Sequence, residues 1–323
     1  MSRRIPLWLT LVPLIAALAI YFWLWSGWAR AFKAVLTHWL PGTEIAVTGF
    51  PYRLESNPVA PRISLGETVK ITITAAQARI NRGPWRPELT VIGAETPSLS
   101  VIVSPLLSAS ITGKSVQTSV HIQDARLTRL SSVITGAVAR LGLTAAPITA
   151  DTLELHLRER TPGPKAVTGP TETPRGQLVI TGKALRLGAG DPLSLAADIT
   201  VTGAARLLGY DAWATTGTLE LDSLKLSDPT GEIASAKATI TPIGRTGIRF
   251  AGTIDTVCPA TIAAALQAQP ALTEKRLRAP LRLTFEGTPA SLRITGLPAD
   301  LATRATRNQL PPCPKARGTG AKP

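Results

Sequence analysis

Two cysteines, one methionine and three histidines are all that 323 residues hold of several side chains that commonly carry metal or redox chemistry. His38, His121 and His156 lie far apart, and none has a partner at metal-ligand spacing, so no metal site is expected. There is no Cys-x-x-Cys, no Gly-rich phosphate loop and no Gly-x-Ser-x-Gly elbow, which removes the legible redox, nucleotide and serine-hydrolase motifs. The carboxylates Glu44, Glu55, Glu67, Glu88 and Glu95 are dispersed over separate segments. Folding could still assemble an acid–base pair from such residues. No catalytic residue and no cofactor is assigned, and the expectation is a protein that is not an enzyme.

Acidic residues are also in deficit. The chain carries 35 Lys+Arg against 21 Asp+Glu, a net charge of +14. The positive charges are scattered and form no block of five or more. Such a balance suits a place beside anionic headgroups or other envelope polyanions; a solvated, Arg-rich surface would show the same balance. Nucleic-acid binding is the usual alternative for so basic a chain, but no nucleic-acid motif accompanies the charge, and none is expected as a partner. Aromatic residues make up only 5% of the chain, yet five of its seven tryptophans fall at or before Trp39.

That concentration marks the N-terminal segment, residues 1–42. Arg3 and Arg4 precede an uncharged apolar run from Pro6 to Trp28. Leu7 to Trp28 supplies the ~20 apolar residues that a membrane-crossing helix needs. Trp8 lies near one end; Tyr21, Trp23, Trp25 and Trp28 crowd the other, as rings at the two water–lipid interfaces would. Arg3 and Arg4 put the N-terminus on the cytoplasmic side by the positive-inside rule and send the body across, although Arg30 and Lys33 reduce the asymmetry. The expectation is a single-pass inner-membrane protein with a periplasmic body. A cleaved signal peptide is the competing reading, since Ala29-Arg30-Ala31 has the small-x-small form. Against it, the apolar run exceeds the usual ~7–15 residue core, and Trp25 and Trp28 stand where the cleavage region should be polar. A soluble core helix is the remaining alternative. From Ala29 to Leu40 the spacing stays helical, with Trp28, Phe32, Val35, Leu36 and Trp39 on one face. That face would either lie on the outer membrane surface or dock on the body. Pro41-Gly42 ends the segment.

The period then changes from helical to two. Val69 to Thr74 alternates strictly, and the pattern recurs in Ser98 to Val103, Ser115 to Ile122, Thr152 to Arg158, Leu178 to Leu187, Leu193 to Val201, Thr218 to Leu226, Ile233 to Ile240, Gly247 to Ile254, Leu281 to Phe285 and Ser291 to Ile294. Breaks fall at Gly83-Pro84, Thr96-Pro97, Asp191-Pro192, Asp228 to Gly231 and Thr241-Pro242. Strands so closely spaced predict a large, curved antiparallel β-meander. Helices are expected at Ser131 to Leu141, where Val133, Ile134, Val138 and Leu141 form one stripe, at Pro259 to Gln269, and more weakly at Pro298 to Gln309. The stretch 160–176 is rich in Pro and Gly and reads as a long loop or linker. It divides the body into a first β-rich half, 43–159, and a second, 177–310. Alternating Leu with Lys or Arg occurs in both halves, at Ala125 to Leu130, Ala184 to Leu187 and Ser223 to Leu226. This is either a structural repeat or ordinary half-exposed strands. Residues 311–323 read as a disordered tail.

Cys258 and Cys313 are a candidate disulfide in an oxidising compartment, with two free thiols as the alternative. Gly49-Phe50-Pro51-Tyr52-Arg53-Leu54, after a Trp-rich helix and a short strand, resembles the Gly-Phe-Pro-Phe/Tyr-Arg segment of DUF2125, a family of alphaproteobacterial envelope proteins. Gly83-Pro84-Trp85-Arg86-Pro87 is similar to that family's later segment with Trp-x-Pro. The resemblance implies an inner-membrane anchor and a mainly β periplasmic body, and it carries no catalytic residue with it. In style the meanders are also similar to AsmA-like lipid-handling proteins. The motif's chemistry is readable by itself: Gly49 permits an unusual backbone angle, Pro51 biases Phe50 to extended geometry, Phe50 and Tyr52 are apolar anchors, and Arg53 suits an acid or an anionic headgroup. A structural corner opening the first sheet would use the same residues. The expected function is the binding of a lipid or other amphiphile in envelope assembly. The alternative is a scaffold for envelope proteins without a ligand, and an enzyme acting on envelope glycans or lipids is a third.

Overall fold

The computed structural model describes residues 7–66, 69–103, 108–124, 126–142, 146–160, 174–203, 210–244, 247–266, 273–297 and 310–315. Arg3 and Arg4 and the expected helix at Pro298 to Gln309 lie outside them. One unbroken helix, α1 (Leu7–Trp39), replaces the expected pair of helical segments. It is long and apolar enough to cross a membrane, and almost none of its apolar stretch is buried within the protein. Its C-terminal half differs. Trp25, Phe32 and Leu36, followed by Leu40, are buried, a stripe with helical period. The docking alternative therefore holds, with the stripe displaced: Val35 and Trp39 are exposed. Trp25 and Phe32, expected at the lipid interface, instead pack on the body. Beyond Gly42, in the left-handed region at φ 79°, the chain runs back along the helix. Ile45 joins the buried stripe, and Thr48 and Glu55 exchange backbone hydrogen bonds across a hairpin.

Antiparallel strands make up the rest of the body: β1 (Leu54–Ser56), β2 (Arg62–Leu65), β3 (Lys70–Thr74), β4 (Gln77–Gly83), β5 (Arg86–Glu95), β6 (Ser98–Ile102), β7 (Ser108–Thr112), β8 (Ser115–Gln123) and β9 (Arg126–Leu141) come first. The first eight are halves of four long bent strands. β1 and β2 pair with β4 and β3, β4 and β3 with β5 and β6, and β5 and β6 with β8 and β7. Both halves of the last bent strand pair with β9. The bends line up across the sheet: Ala60 N–H donates to Ala76 O, Ala76 to Glu95, Thr96 to Lys114 and Lys114 to Thr135. On alternate strands the bend carries a left-handed residue, at Ala60 (φ 48°), Thr96 (45°), Gly136 (60°) and, farther along, Ala184 (52°). The pairing register runs unshifted through the bends at Ala60, Thr96 and Gly136 and shifts by one residue only around Ala184, so neighbouring strands kink together and the sheet curves along this line.

Gly136 explains why Ser131 to Leu141 is strand rather than the expected helix. The left-handed kink at Gly136 turns the inward face without shifting the register, so Ile134 and Ala137, three residues apart, are both buried, as are their partners Leu153 and Ala150. That spacing imitates a helical stripe, while β9 is paired on both sides.

The meander continues through β10 (Ile148–Glu159), β11 (Pro174–Leu187), β12 (Leu193–Thr202), α2 (Tyr210–Thr216), β13 (Thr218–Asp228), β14 (Gly231–Ile243), β15 (Gly247–Thr256), α3 (Pro259–Leu266), β16 (Leu281–Thr288) and β17 (Ser291–Thr295). Each strand here pairs with the next. Residues 161–173 of the expected linker lie outside the described residues, and at their border Arg160 N–H donates to Arg175 O at 2.8 Å, extending the β10–β11 ladder. Thr241-Pro242, expected as a break, lies inside β14. There β14 has outrun β13, whose pairing with it begins at Leu219↔Ile240, and proline is tolerated at such an edge. The expected helix at Pro259 is present as α3, with Pro259 as its first residue.

Register aligns the apolar side chains on one face. Ile80, Ile92, Leu155, Ile180, Ala197, Leu224, Ala236, Ile254 and Leu283 share it, as do Val116, Ile134 and Leu153. The helices meet this face at its ends. The buried half of α1 packs on Leu54 and Ile80, and Ile262 of α3 packs on Ile233, Ile254 and Leu283. Between them lies a cluster of strand residues centred on Ile134, Ala137, Ala150 and Leu153. The opposite face is polar and linked across strands. Arg282 donates to both Asp255 oxygens at 2.8 and 2.9 Å, which holds the Asp255 carboxyl below its usual range. Thr239 donates to Glu220, and Gln177 to Asp198.

The far end is closed by the last described residues. Cys258 and Cys313 form a disulfide with a Cα–Cα distance of 5.9 Å. Cys313 N–H donates to Glu274 O, and Lys275 bridges to Pro312. Lys315 and Asp191 exchange two more hydrogen bonds. Residues 311–315 are thus tied down, contrary to the expected disordered tail; 316–323 lie outside the described residues. The Glu274 carboxylate also accepts from Ala260 N–H and Thr261 N–H at the start of α3.

Two stability predictions follow from these features. Gly136→Val places a β-branched residue at φ 60° and is expected to destabilise the protein by about 1–2 kcal/mol. Gly93→Ala, with nothing within 4 Å of the added Cβ, serves as the neutral control in the same denaturant titration. Removing the disulfide, whose cysteines are 55 residues apart, with Cys258→Ser plus Cys313→Ser, costs about 4 kcal/mol in the chain-entropy model. It should speed proteolytic cleavage between residues 273 and 315 relative to the wild type.

Candidate functional site

The segments with family resemblance converge where α1 meets the body. The turn at Pro41-Gly42 returns the chain toward the middle of α1, so residues 49–53 form a hairpin tip level with Tyr21 and Trp25. Trp39 lies about 27 Å farther along the helix. Gly49 has φ 98°, and a Cβ there would stand 2.7 Å from Arg53 O. The tight loop therefore needs glycine, and Arg53 N–H donates to Gly49 O at 3.0 Å. The Phe50-Pro51 peptide is cis. Two side chains of α1 hold this tip through its backbone: Tyr21 Oη–H donates to Pro51 O, and Trp25 Nε1–H to Arg53 O at 3.3 Å.

A second hairpin tip, the β4–β5 turn at Gly83-Pro84-Trp85-Arg86, reaches the same level. Trp85 stacks on Tyr21 with ring centroids 5.5 Å apart and meets Trp28 edge-on at 5.2 Å. Phe50 completes the collar against Tyr21, Phe22 and Trp25, at 5.5 to 5.8 Å. Offset and edge-to-face pairs such as these add to the burial energy of the rings and fix their mutual angle. Arg82 Nη2–H donates to Pro87 O across the turn. The helix is thus gripped by two loops far apart in sequence.

Beneath the first tip lies a buried carboxylate. Glu55 accepts from Arg53 Nε at 3.0 Å and from Arg79 Nε and Nη2 at 2.8 and 3.2 Å, with Asn57 Nδ2 at 3.4 Å. The Arg79 hydrogen bond, outweighing burial and helped by Asn57 and Arg53, holds its pKa below the usual glutamate range. Two guanidinium groups share one carboxylate, so the cluster keeps a positive charge.

The other sequence-derived candidates are placed as follows. Trp8 lies in α1, whereas Trp23 and Trp39 are exposed and Trp28 is half-buried. Tyr52, at the first tip, is 83% exposed. His38, His121 and His156 stay apart: His38 faces the Trp39 ring, His121 bonds to Thr128, and His156 lies 3.8 Å from Glu154. No group of three or more potential metal ligands forms among the described residues. Sequence reasoning missed Glu55 and Arg79 as a pair, because nothing in the sequence joins residues on β1 and β4. Alternation through Gln77 to Arg82 would have placed Arg79 opposite Ala78 and Ile80, on the polar face.

A long apolar helix gripped by two aromatic hairpin tips at the start of an open, curved antiparallel sheet defines a helix-anchored, mainly β protein. The family model for DUF2125, described as an uncharacterized protein conserved in bacteria, matches residues 42–255; the chain belongs to this family. The match takes in both hairpin tips and ends before α3 and the disulfide. No curated protein and no solved structure gives a significant match.

Because the Glu55 carboxyl is depressed in the folded state, its stabilisation is complete above the unfolded value of ~4.3. It is lost as pH falls through the lower folded value. Thermal melts in detergent should therefore show a wild-type decline below this range that Glu55→Gln lacks, with the variant already less stable at neutral pH.

Proposed function

We propose that the protein is a non-enzymatic, inner-membrane-anchored periplasmic binder of a lipid or other amphiphile, which lies along the apolar face of the curved sheet. The observation that carries this is the continuity of that face. From Ile80 and Ile92 it runs through Thr118 and Ser132, whose hydroxyls bond each other at 2.8 Å, to Leu155, Ile180, Ala197 and Leu283 without changing sides, and Val116, Ile134 and Leu153 carry the apolar surface past the two hydroxyls. Helices meet it at the α1 end and the α3 end, while the cluster between them is made of strand side chains. Leu155, Leu157, Leu178 and Ile180 in that middle stretch are half-buried. An apolar strip of this kind suits acyl chains, whose transfer from water is favourable at about 25 cal/mol per Å². Arg3 and Arg4 support the orientation through the positive-inside rule.

The alternative, an envelope scaffold without a ligand, is favoured by the polar face, where ion pairs and amide bonds such as Asp255–Arg282 and Gln177–Asp198 present a ready protein-contact surface. A photoreactive benzophenone amino acid at Leu155 or Leu178, compared with His156 on the opposite face, separates the two readings. Irradiation of membranes followed by mass spectrometry should give lipid-mass adducts at Leu155 and Leu178 and none at His156. Protein adducts at His156 with no lipid at the other two positions would instead establish the scaffold.

A further inference from the structure

We propose that the two hairpin tips, Gly49 to Arg53 and Gly83 to Arg86, form a foot embedded in the headgroup layer of the bilayer that α1 crosses, a membrane contact additional to the helix itself. The inference rests on the reading of α1 as a spanning helix.

Trp85 and Phe50 contact Tyr21, and on the N-terminal side of Tyr21 the helix exposes Leu14, Ile15, Leu18 and Ile20. The tips therefore stand at the end of the lipid-compatible stretch. Tyr52 is 83% exposed and Trp85 65%, beside Trp23 at 69% on the helix. Three large amphipathic rings from three chain segments are open at one level, the arrangement that water–lipid boundaries favour. An aqueous surface gains nothing from such a group of rings.

Arg53 and Arg86 are exposed beside the rings. The only acid in contact with Arg53 among the described ion pairs is Glu55, which Arg79 also occupies. A rim of rings and guanidinium groups matches the phosphates of an anionic phospholipid surface, which attracts basic residues held beside it. Continuity with the apolar helix decides for the bilayer over a protein partner.

The foot makes the body's orientation rigid. A single spanning helix leaves a body free to tilt about its exit point. Two extra contacts on the sheet's first hairpins fix which end of the apolar face meets the lipid.

Nitroxide labels test this in the full chain, with its disulfide oxidised, in vesicles of phosphatidylethanolamine and phosphatidylglycerol. Labels are placed by Tyr52→Cys, Trp85→Cys, Leu18→Cys and Val59→Cys. Val59, also exposed at 71%, lies about 16 Å along the strand direction from the tips. Collisions with oxygen and with a water-soluble nickel chelate report depth. At Leu18, Tyr52 and Trp85 the nickel accessibility should be several-fold lower than at Val59. Tyr52 and Trp85 labels as open to nickel as Val59, with Leu18 in lipid, would overturn the foot and leave the anchor standing. An aqueous Leu18 label would overturn the spanning helix and the foot together. Tyr52 carries the result if Trp85→Cys fails to fold, since its side chain is almost fully exposed.

Discussion

The rest of the structure depends on the packing of one helical stripe against the first strand. Trp25, Phe32, Leu36 and Leu40 bury against Ile45, Leu54 and Ile80, and this contact does two things at once. It covers the apolar side chains at the start of the sheet, which would otherwise face water, while Thr48 pairs with the edge of β1 through Glu55. It also converts a flexible tether into a rigid stalk. The polar groups near the junction reinforce it through backbone carbonyls, with Tyr21 and Trp25 holding Pro51 and Arg53. Hydrogen bonds to main-chain oxygens leave the side chains of the loop free to face outward.

Curvature has a different origin. A sheet this wide could close, split or coil. Here the bends at Ala60, Thr96, Gly136 and Ala184 fall on alternate strands, and the intervening strands follow through their hydrogen bonds. Three of the four residues carry a side chain in a region that favours glycine. The recurrence of a strained conformation at one level of the sheet marks it as part of the architecture. It gives the apolar face its shape while leaving the alternation of sides intact on either side of the line.

Much of this was legible in the sequence. Strict alternation, as in Lys70 to Thr74, identifies a strand because the period is local. The long apolar helix was legible because its composition is local too. What failed was whatever depends on partners distant in sequence. Ser131 to Leu141 looked helical because the kink at Gly136 shifts the inward positions by one, and that kink belongs to a line of bends shared with the facing strands. Val35 and Trp39 fit the helical stripe as well as Trp25 does, and only the position of Leu54 and Ile80 decides which side is buried. Glu55 and Arg79, on strands paired by register, gave no sign of their ion pair. Of the candidate site, Gly49 to Arg53 and Trp85 stood out individually; their meeting around Tyr21 required the fold.

Almost every strand after Arg126 finds its partner in the strand made just before it, and β9 itself completes a ladder whose other members precede it. Such a sheet has no long-range strand crossing to wait for, so it can grow by accretion from the helix outward, one hairpin at a time, while later residues are still being delivered. Chains with this order pay loop-closure entropy in small instalments. The exception is the final tie of Cys313 to Cys258 and of Lys315 to Asp191. That closure brings together residues 191, 258, 274–276 and 311–315, so it follows the pairing of the strands from β12 onward and seals that end of the sheet rather than guiding its growth.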